Sequence, residues 1–196
     1  MSDNFSLELP SFFKSKDENK LDLGYENLQD FFLSWTLRCA EENYKSVNQI
    51  LHDYAKKILF KLIFDNPNAN YFVKEVKAWR QVNQIDLLLE VYLLDSNNIP
   101  QNYVLNIENK WYTNISDTQL VKYSEYIESE YKDRDFVVKN IVIFCDSEKL
   151  KDGSNLQKAM ISNYSVTTVE DLKEVIGEVK TDNYLFDEYW FKFYNQ

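Results

Sequence analysis

IDLLLEV at residues 85–91 and LNIENK at residues 105–110 decide how the chain is read. Both lie in β-rich runs. The segment between them, Asp95-Ser96-Asn97-Asn98-Ile99-Pro100, is made of turn formers, so the two runs are expected to pair as a β-hairpin. Side chains alternate along a strand, which puts Glu108 and Lys110 on one face and Ile107 on the other. Asp86 opens the preceding strand. Two carboxylates from adjacent strands and one lysine are thereby expected to converge on a single point.

That trio has a chemical logic. Mg²⁺ prefers an octahedron of oxygens and commonly takes one or two carboxylates, with water and a substrate phosphate completing the shell. Asp86 and Glu108, with the carbonyl of Asn109, are the candidate protein ligands. A metal held there polarises a scissile phosphate and lowers the pKa of a bound water. Lys110 is placed to hold the attacking hydroxide or to neutralise charge growing on the phosphate. The competing reading is a solvated Glu/Lys pair of little energetic worth. Apolar residues directly before both acids favour the site, because carboxylates at the ends of buried strands need partners.

Two helices are expected before the hairpin. One runs from Tyr25 to about Glu42, with Leu28, Phe32, Trp35 and Cys39 on one stripe that Leu33 and Leu37 widen. The other runs from about Ser46 to Phe64, with Val47, Ile50, Leu51, Tyr54, Ile58 and Leu62 facing inward, and stops at Asp65-Asn66-Pro67-Asn68. Tyr71–Trp79, Ile85–Leu94 and Tyr103–Tyr112 read as strands. Ser116 opens a helix to about Tyr131, and NIVIFC at 140–145 reads as a buried strand. A short helix at 155–161, a strand at 165–168, a helix at 169–176 and an aromatic helical tail at 184–194 follow. The order α-α-β-β-β-α-β packs naturally as a mixed sheet flanked by helices. Residues 1–20 are polar without a sustained period and read as a leader. Residues 21–196 read as a single domain, with a core at about 25–146 and an α/β tail at 147–196.

Length and composition bound the function. The 196 residues suit one α/β domain, and 44% hydrophobic residues exclude global disorder. The formal charge of −10 repels a phosphate backbone at long range, which argues against a nucleic-acid-coating role. It does not argue against an enzyme, since a bound cation reverses the sign locally. Cys39 and Cys145 lack metal-ligand spacing and read as buried free thiols of a reducing compartment. The polar start MSDNFSLELP has no signal-peptide character and no apolar run is long enough to span a bilayer, so a cytoplasmic protein is expected. The single histidine, His52, is expected to be a surface or partly packed helix residue, which removes histidine-centred chemistry.

Further positions bear on the site. Gln119 and Tyr123 lie one turn apart on the helix after the E-x-K strand and can reach over the strand ends. Ser116-x-x-Gln119 is equally a capping box, and both readings stay open. Glu26, in the first turn of the first helix, is either an acid favoured by the helix dipole or an outer metal ligand. Glu75 is a weaker candidate. Lys74, Lys77 and Arg80 form either a local basic strip or an ordinary solvated edge strand. The aromatic tail, with Tyr184, Phe186, Tyr189, Trp190, Phe191, Phe193 and Tyr194, is expected to pack on the domain or on a partner in a dimer.

With these residues in view, the chain resembles the bacterial PD-(D/E)XK nuclease superfamily proteins from about Tyr25 to Asp146. The resemblance rests on E-N-x-x-x-x-x-L-S-W from Glu26 to Trp35, I-D-L-L-L at Asp86, N-I-E-N-K with Glu108 and Lys110, and Q-L-x-x-Y with Gln119 and Tyr123. The last motif is that of the RecB-like branch. The resemblance implies a restriction-endonuclease-like αβββαβ core and a Mg²⁺- or Mn²⁺-dependent (endo)nuclease. It implies metal ligands Asp86 and Glu108, catalytic Lys110, Glu26 as the first-helix acid, and Gln119 and Tyr123 as the helix motif. Ile85 stands where the family often has proline. The expected partner is nucleic acid, with DNA foremost. The alternative is a non-cleaving binding or regulatory module on the same fold, antitoxin- or immunity-like.

Overall fold

The structure is a computed structural model that describes residues 25–192 except 112, 117 and 152, with Tyr25 and Glu26 described in their backbone alone. The expected leader, Phe193 and Tyr194 lie outside the described residues. In chain order the elements are α1 (Tyr25–Arg38), a 3₁₀ turn (Glu42–Tyr44), α2 (Gln49–Phe64), β1 (Phe72–Val82), β2 (Ile85–Leu94), β3 (Pro100–Lys110), α3 (Gln119–Tyr131) and β4 (Val137–Phe144). A second 3₁₀ turn (Ser147–Leu150), α4 (Ser154–Ile161), β5 (Ser165–Thr168), α5 (Val169–Glu174) and α6 (Tyr184–Asp187) follow. A π-helical turn, Glu188–Lys192, closes the described chain.

The five strands form one mixed sheet in the order β1-β2-β3-β4-β5. β1, β2 and β3 pair antiparallel, while β3–β4 and β4–β5 pair parallel. Alternation along the strands feeds two cores. On one face, Leu87, Leu89, Leu105, Ile107, Ile141 and Ile143 pack against α1, α2, α5 and the C-terminal aromatics. On the other, Leu88 and Val104 meet Tyr123, Ile127 and Tyr131 of α3, and Val142 and Phe144 meet Leu120 and Ala159. This is a mixed α/β sheet covered by helices on both faces, the restriction-endonuclease-like architecture.

Several boundaries differ from the sequence reading. α2 starts at Gln49 because the Asn48 side chain accepts the Leu51 amide as an N-cap, which leaves Val47 outside the helix and 79% exposed. Ile50, in the first turn, is also exposed. α1 ends at Arg38, four residues before Glu42. His52 is buried: its ring nitrogen Nδ1 lies 3.2 Å from Asp53 and Nε2 lies 3.7 Å from Glu42 of the 3₁₀ turn. That turn folds back over α2, where Glu42 also pairs with Lys56, and so covers a residue expected at or near the surface. The tail packs on the domain itself. Phe186, Tyr189 and Trp190 are fully buried, with Phe32 stacked on Tyr189 at 3.7 Å between centroids.

Candidate active site

The β2–β3 hairpin delivers the expected pair. Leu87 pairs with Ile107, so one step further along the same register Asp86 stands opposite Glu108. Glu108 and Lys110 both face α3, and both are buried. The Lys110 amine donates to Glu108 Oε1 at 2.6 Å and to Gln119 Oε1 at 3.3 Å. Gln119 Nε2 donates to Glu108 Oε1 at 2.6 Å and to the Tyr123 hydroxyl at 3.1 Å. The expected capping box does not form: Thr118 is the N-cap residue, and of the Ser116–Gln119 pair only the 3.3 Å bond from the Gln119 amide to Ser116 Oγ is made. That contact is through the backbone, and the Gln119 side chain points at the acid and the lysine. Tyr123 is buried, and burial, ahead of the nearby charges, raises its pKa.

Electrostatics make Glu108 unusual. Burial, first, and then the neighbouring Asp86 and more distant Asp30 carboxylates push it up to about 8, against a smaller opposing effect of Lys110. The close ion-pair geometry with Lys110 does not overcome that penalty. Glu108 Oε2 is moreover fully buried with no hydrogen-bond partner. A buried acceptor left this way is costly unless something fills the place.

A divalent cation fits these residues. The donors are oxygens only, Glu108 offers an oxygen with no other partner, and a cation would favour the ionised form that burial now opposes. Among the described residues no group of three or more His, Cys, Asp or Glu side chains gathers closely enough to hold a metal by itself. Of the carboxylates here, Asp86 and Glu108 are the two that could hold a hard divalent cation, with the remaining positions left to a backbone carbonyl, water or phosphate.

The structure adds residues the sequence reading did not name. Asp30 of α1 is buried, and its two oxygens accept from Asn109 Nδ2 and, at 3.2 Å, from Gln81 Nε2. Asp86 Oδ2 accepts the Asn109 amide at 2.9 Å and its Oδ1 accepts from Gln81 at 3.2 Å. Gln29 donates to Asn109 Oδ1 at 3.2 Å and accepts from Cys145 and from the Tyr189 hydroxyl, tying α1, the ends of β3 and β4, and the tail together. The signal for Asp30 was present: it lies one helical turn beyond Glu26, on the same face. The Glu26 side chain itself lies outside the described residues. Glu75 is not brought to the site. It sits opposite Tyr92, toward the other end of β2, and pairs with Lys77. Lys77 also lies over the Tyr92 ring and Arg80 over the Phe31 ring, while Lys74 and Arg80 are exposed.

A family model described as the PD-(D/E)XK nuclease superfamily matches residues 20–192, a span that takes in every described residue. The chain belongs to the PD-(D/E)XK nuclease superfamily. No curated protein and no solved structure gives a significant match. Membership makes this a nuclease-type fold, and the strand ends bearing Asp86, Glu108 and Lys110 lie within the matched residues. Ile85, in place of the frequent proline, is fully buried and packs with Leu88, Val104 and Tyr123. Among the described residues no helix is long and apolar enough to cross a membrane.

Proposed function

We propose that the chain is a divalent-metal-dependent nuclease that hydrolyses phosphodiester bonds in DNA, using Mg²⁺ or Mn²⁺. The observation that carries this reading is the buried Glu108, with one unpartnered oxygen, standing opposite Asp86 and in hydrogen-bond contact with Lys110 and Gln119. A bound cation would supply Lewis acidity toward the phosphate and a more acidic water. In hydrolysis, the water oxygen gives up a proton as it forms the new bond to phosphorus, the P–O bond to the leaving nucleotide breaks, and the leaving oxygen takes up a proton in turn. Lys110 offsets negative charge on the phosphate as the bond order changes. Gln119 holds the Lys110 amine and the Glu108 carboxylate in a fixed relation, and Tyr123 braces Gln119 in turn. In this reading Asp86 and Glu108 would be the metal ligands, with Glu26 of the first helix as an outer one.

The net charge of −10 favours a second reading, a binding or regulatory module that does not cut. Incubating the purified protein with single- and double-stranded DNA and RNA in Mg²⁺, Mn²⁺ or EDTA separates the two. The nuclease reading expects cleavage with metal, none with EDTA, and none for Lys110→Met, which keeps the aliphatic stem and both carboxylates. A wild type that binds nucleic acid but leaves every substrate intact in either metal establishes the binding module instead.

A further inference from the structure

Three non-glycine residues in the left-handed region cluster within four positions beside the site: Gln81 (φ 56°), Asn83 (φ 50°) and Gln84 (φ 70°). Two of them have a plain cause. Val82 pairs with Ile85 around Asn83-Gln84, and a two-residue hairpin loop with both φ values positive is the turn whose twist suits the strands. Gln81 has no such cause. It belongs to β1, between the Arg80↔Leu87 and Val82↔Ile85 pairs and hence opposite Asp86, where φ near −140° is the rule. A side chain with a Cβ is disfavoured in the left-handed region, and Gln81 is exposed, so core packing does not impose the conformation.

What the conformation accompanies is a closed ring. The single Gln81 amide nitrogen lies 3.2 Å from Asp30 Oδ2 and 3.2 Å from Asp86 Oδ1. The opposite oxygens of the same two carboxylates accept from Asn109, Oδ1 of Asp30 from its side chain and Oδ2 of Asp86 from its backbone. Four residues from α1, β1, β2 and β3 thus close on one another. A primary amide has two N–H donors, one for each acid. It is also uncharged, so it separates two carboxylates without competing with a cation as lysine or arginine would. Backbone strain that persists at an exposed position beside a charged cluster is the pattern expected of a functional constraint.

We infer that Gln81 is a positioning residue: its left-handed backbone and its amide hold Asp86, across from Asp30, in the arrangement that receives the divalent cation. The inference rests on the nuclease reading above and adds to it a residue that touches neither substrate nor metal.

Gln81→Gly, Gln81→Asn and Gln81→Ala test it in the full-length protein. Each is melted without metal and titrated with Mn²⁺ by calorimetry beside the wild type. Stability should follow tolerance of a positive φ, with the Gly and Asn variants melting above the Ala variant. Mn²⁺ affinity should follow the amide instead. All three variants should bind about tenfold more weakly than the wild type, the scale of a lost hydrogen bond to a charged group, because none spans both carboxylates. Affinities of the Gly and Asn variants equal to or tighter than the wild type, or losses that simply track the melting order, overturn the inference while leaving the nuclease reading intact. A wild type that neither takes up heat nor gains stability with millimolar Mn²⁺ overturns both.

Discussion

Replacing Glu108 with Gln probes the site's electrostatics with almost no change of shape. In the unfolded chain this carboxyl ionises near its ordinary value of 4.5, whereas in the folded, metal-free protein it is held up to about 8. Because the folded value is the higher one, the native state binds more protons than the unfolded state between these two limits. Stability is therefore unpenalised below about pH 4.5 and falls as the pH rises toward 8. Each pH unit in that window costs about 1.4 kcal/mol, so at pH 7 the ionisable group costs the fold about 3 kcal/mol. Glu108 is only 2% exposed, so solvent screening reduces this little. Gln copies the protonated acid and does not titrate. Metal-free Glu108→Gln should match the wild type near pH 4.5 and melt higher at pH 7, by about 6–12 °C for a chain of this size. With saturating Mn²⁺ the order should reverse, since the cation stabilises only the ionised side chain. The assay is a set of thermal melts from pH 4.5 to 8.5, with Mn²⁺ or with EDTA. A metal-free variant that melts below the wild type at pH 7 would refute the reasoning. It would show that losing the 2.6 Å contact with Lys110 outweighs the desolvation of the carboxylate.

Other consequences follow from the same contacts. Gln119→Ala should cut cleavage by ten- to a hundredfold while shifting the melting temperature little, because the helix start is held by Ser116 through the backbone; a large loss of stability would make Gln119 a structural residue. Asp30→Asn should weaken Mn²⁺ binding by several-fold even though Asp30 is not proposed as a ligand, because it removes charge and an acceptor from the ring that sets Asp86; calorimetry with unchanged affinity would contradict this. Trp190→Ala should cost about 3–5 kcal/mol in denaturant unfolding, since the indole is fully buried among Phe32, Phe186 and Tyr189, and a loss below 1 kcal/mol would show the tail to be peripheral.

The parts of this molecule that depend on neighbours in sequence were legible in the sequence. The period-two alternation of LNIENK put Glu108 and Lys110 on one face, and the turn formers at 95–100 brought Asp86 into register with them. The one-turn spacing of Gln119 and Tyr123 put both on one face of α3, where their side chains meet. Local chemistry still misled where a cap overrode the apolar pattern, as Asn48 did at Val47, and where a distant turn covered a polar side chain, as Glu42 did at His52.

Tertiary structure alone decided the rest. Asp30 and Asn109 are separated by 79 positions and Gln29 and Tyr189 by 160, and no pattern within one element announces that they meet. They meet because α1 buries Phe32, Leu33 and Leu37 against the same sheet face that carries Leu105 and Ile107, which sets the polar residues at positions 29 and 30 over the end of β3. The environment of Glu108 has the same origin. A carboxyl acquires a raised pKa and an unpartnered oxygen only when two helices, the hairpin and a second acid close around it. The sequence determines which chemical groups exist and which face of an element they share. Desolvation and long-range convergence belong to the packed fold, because they depend on what every other element leaves exposed.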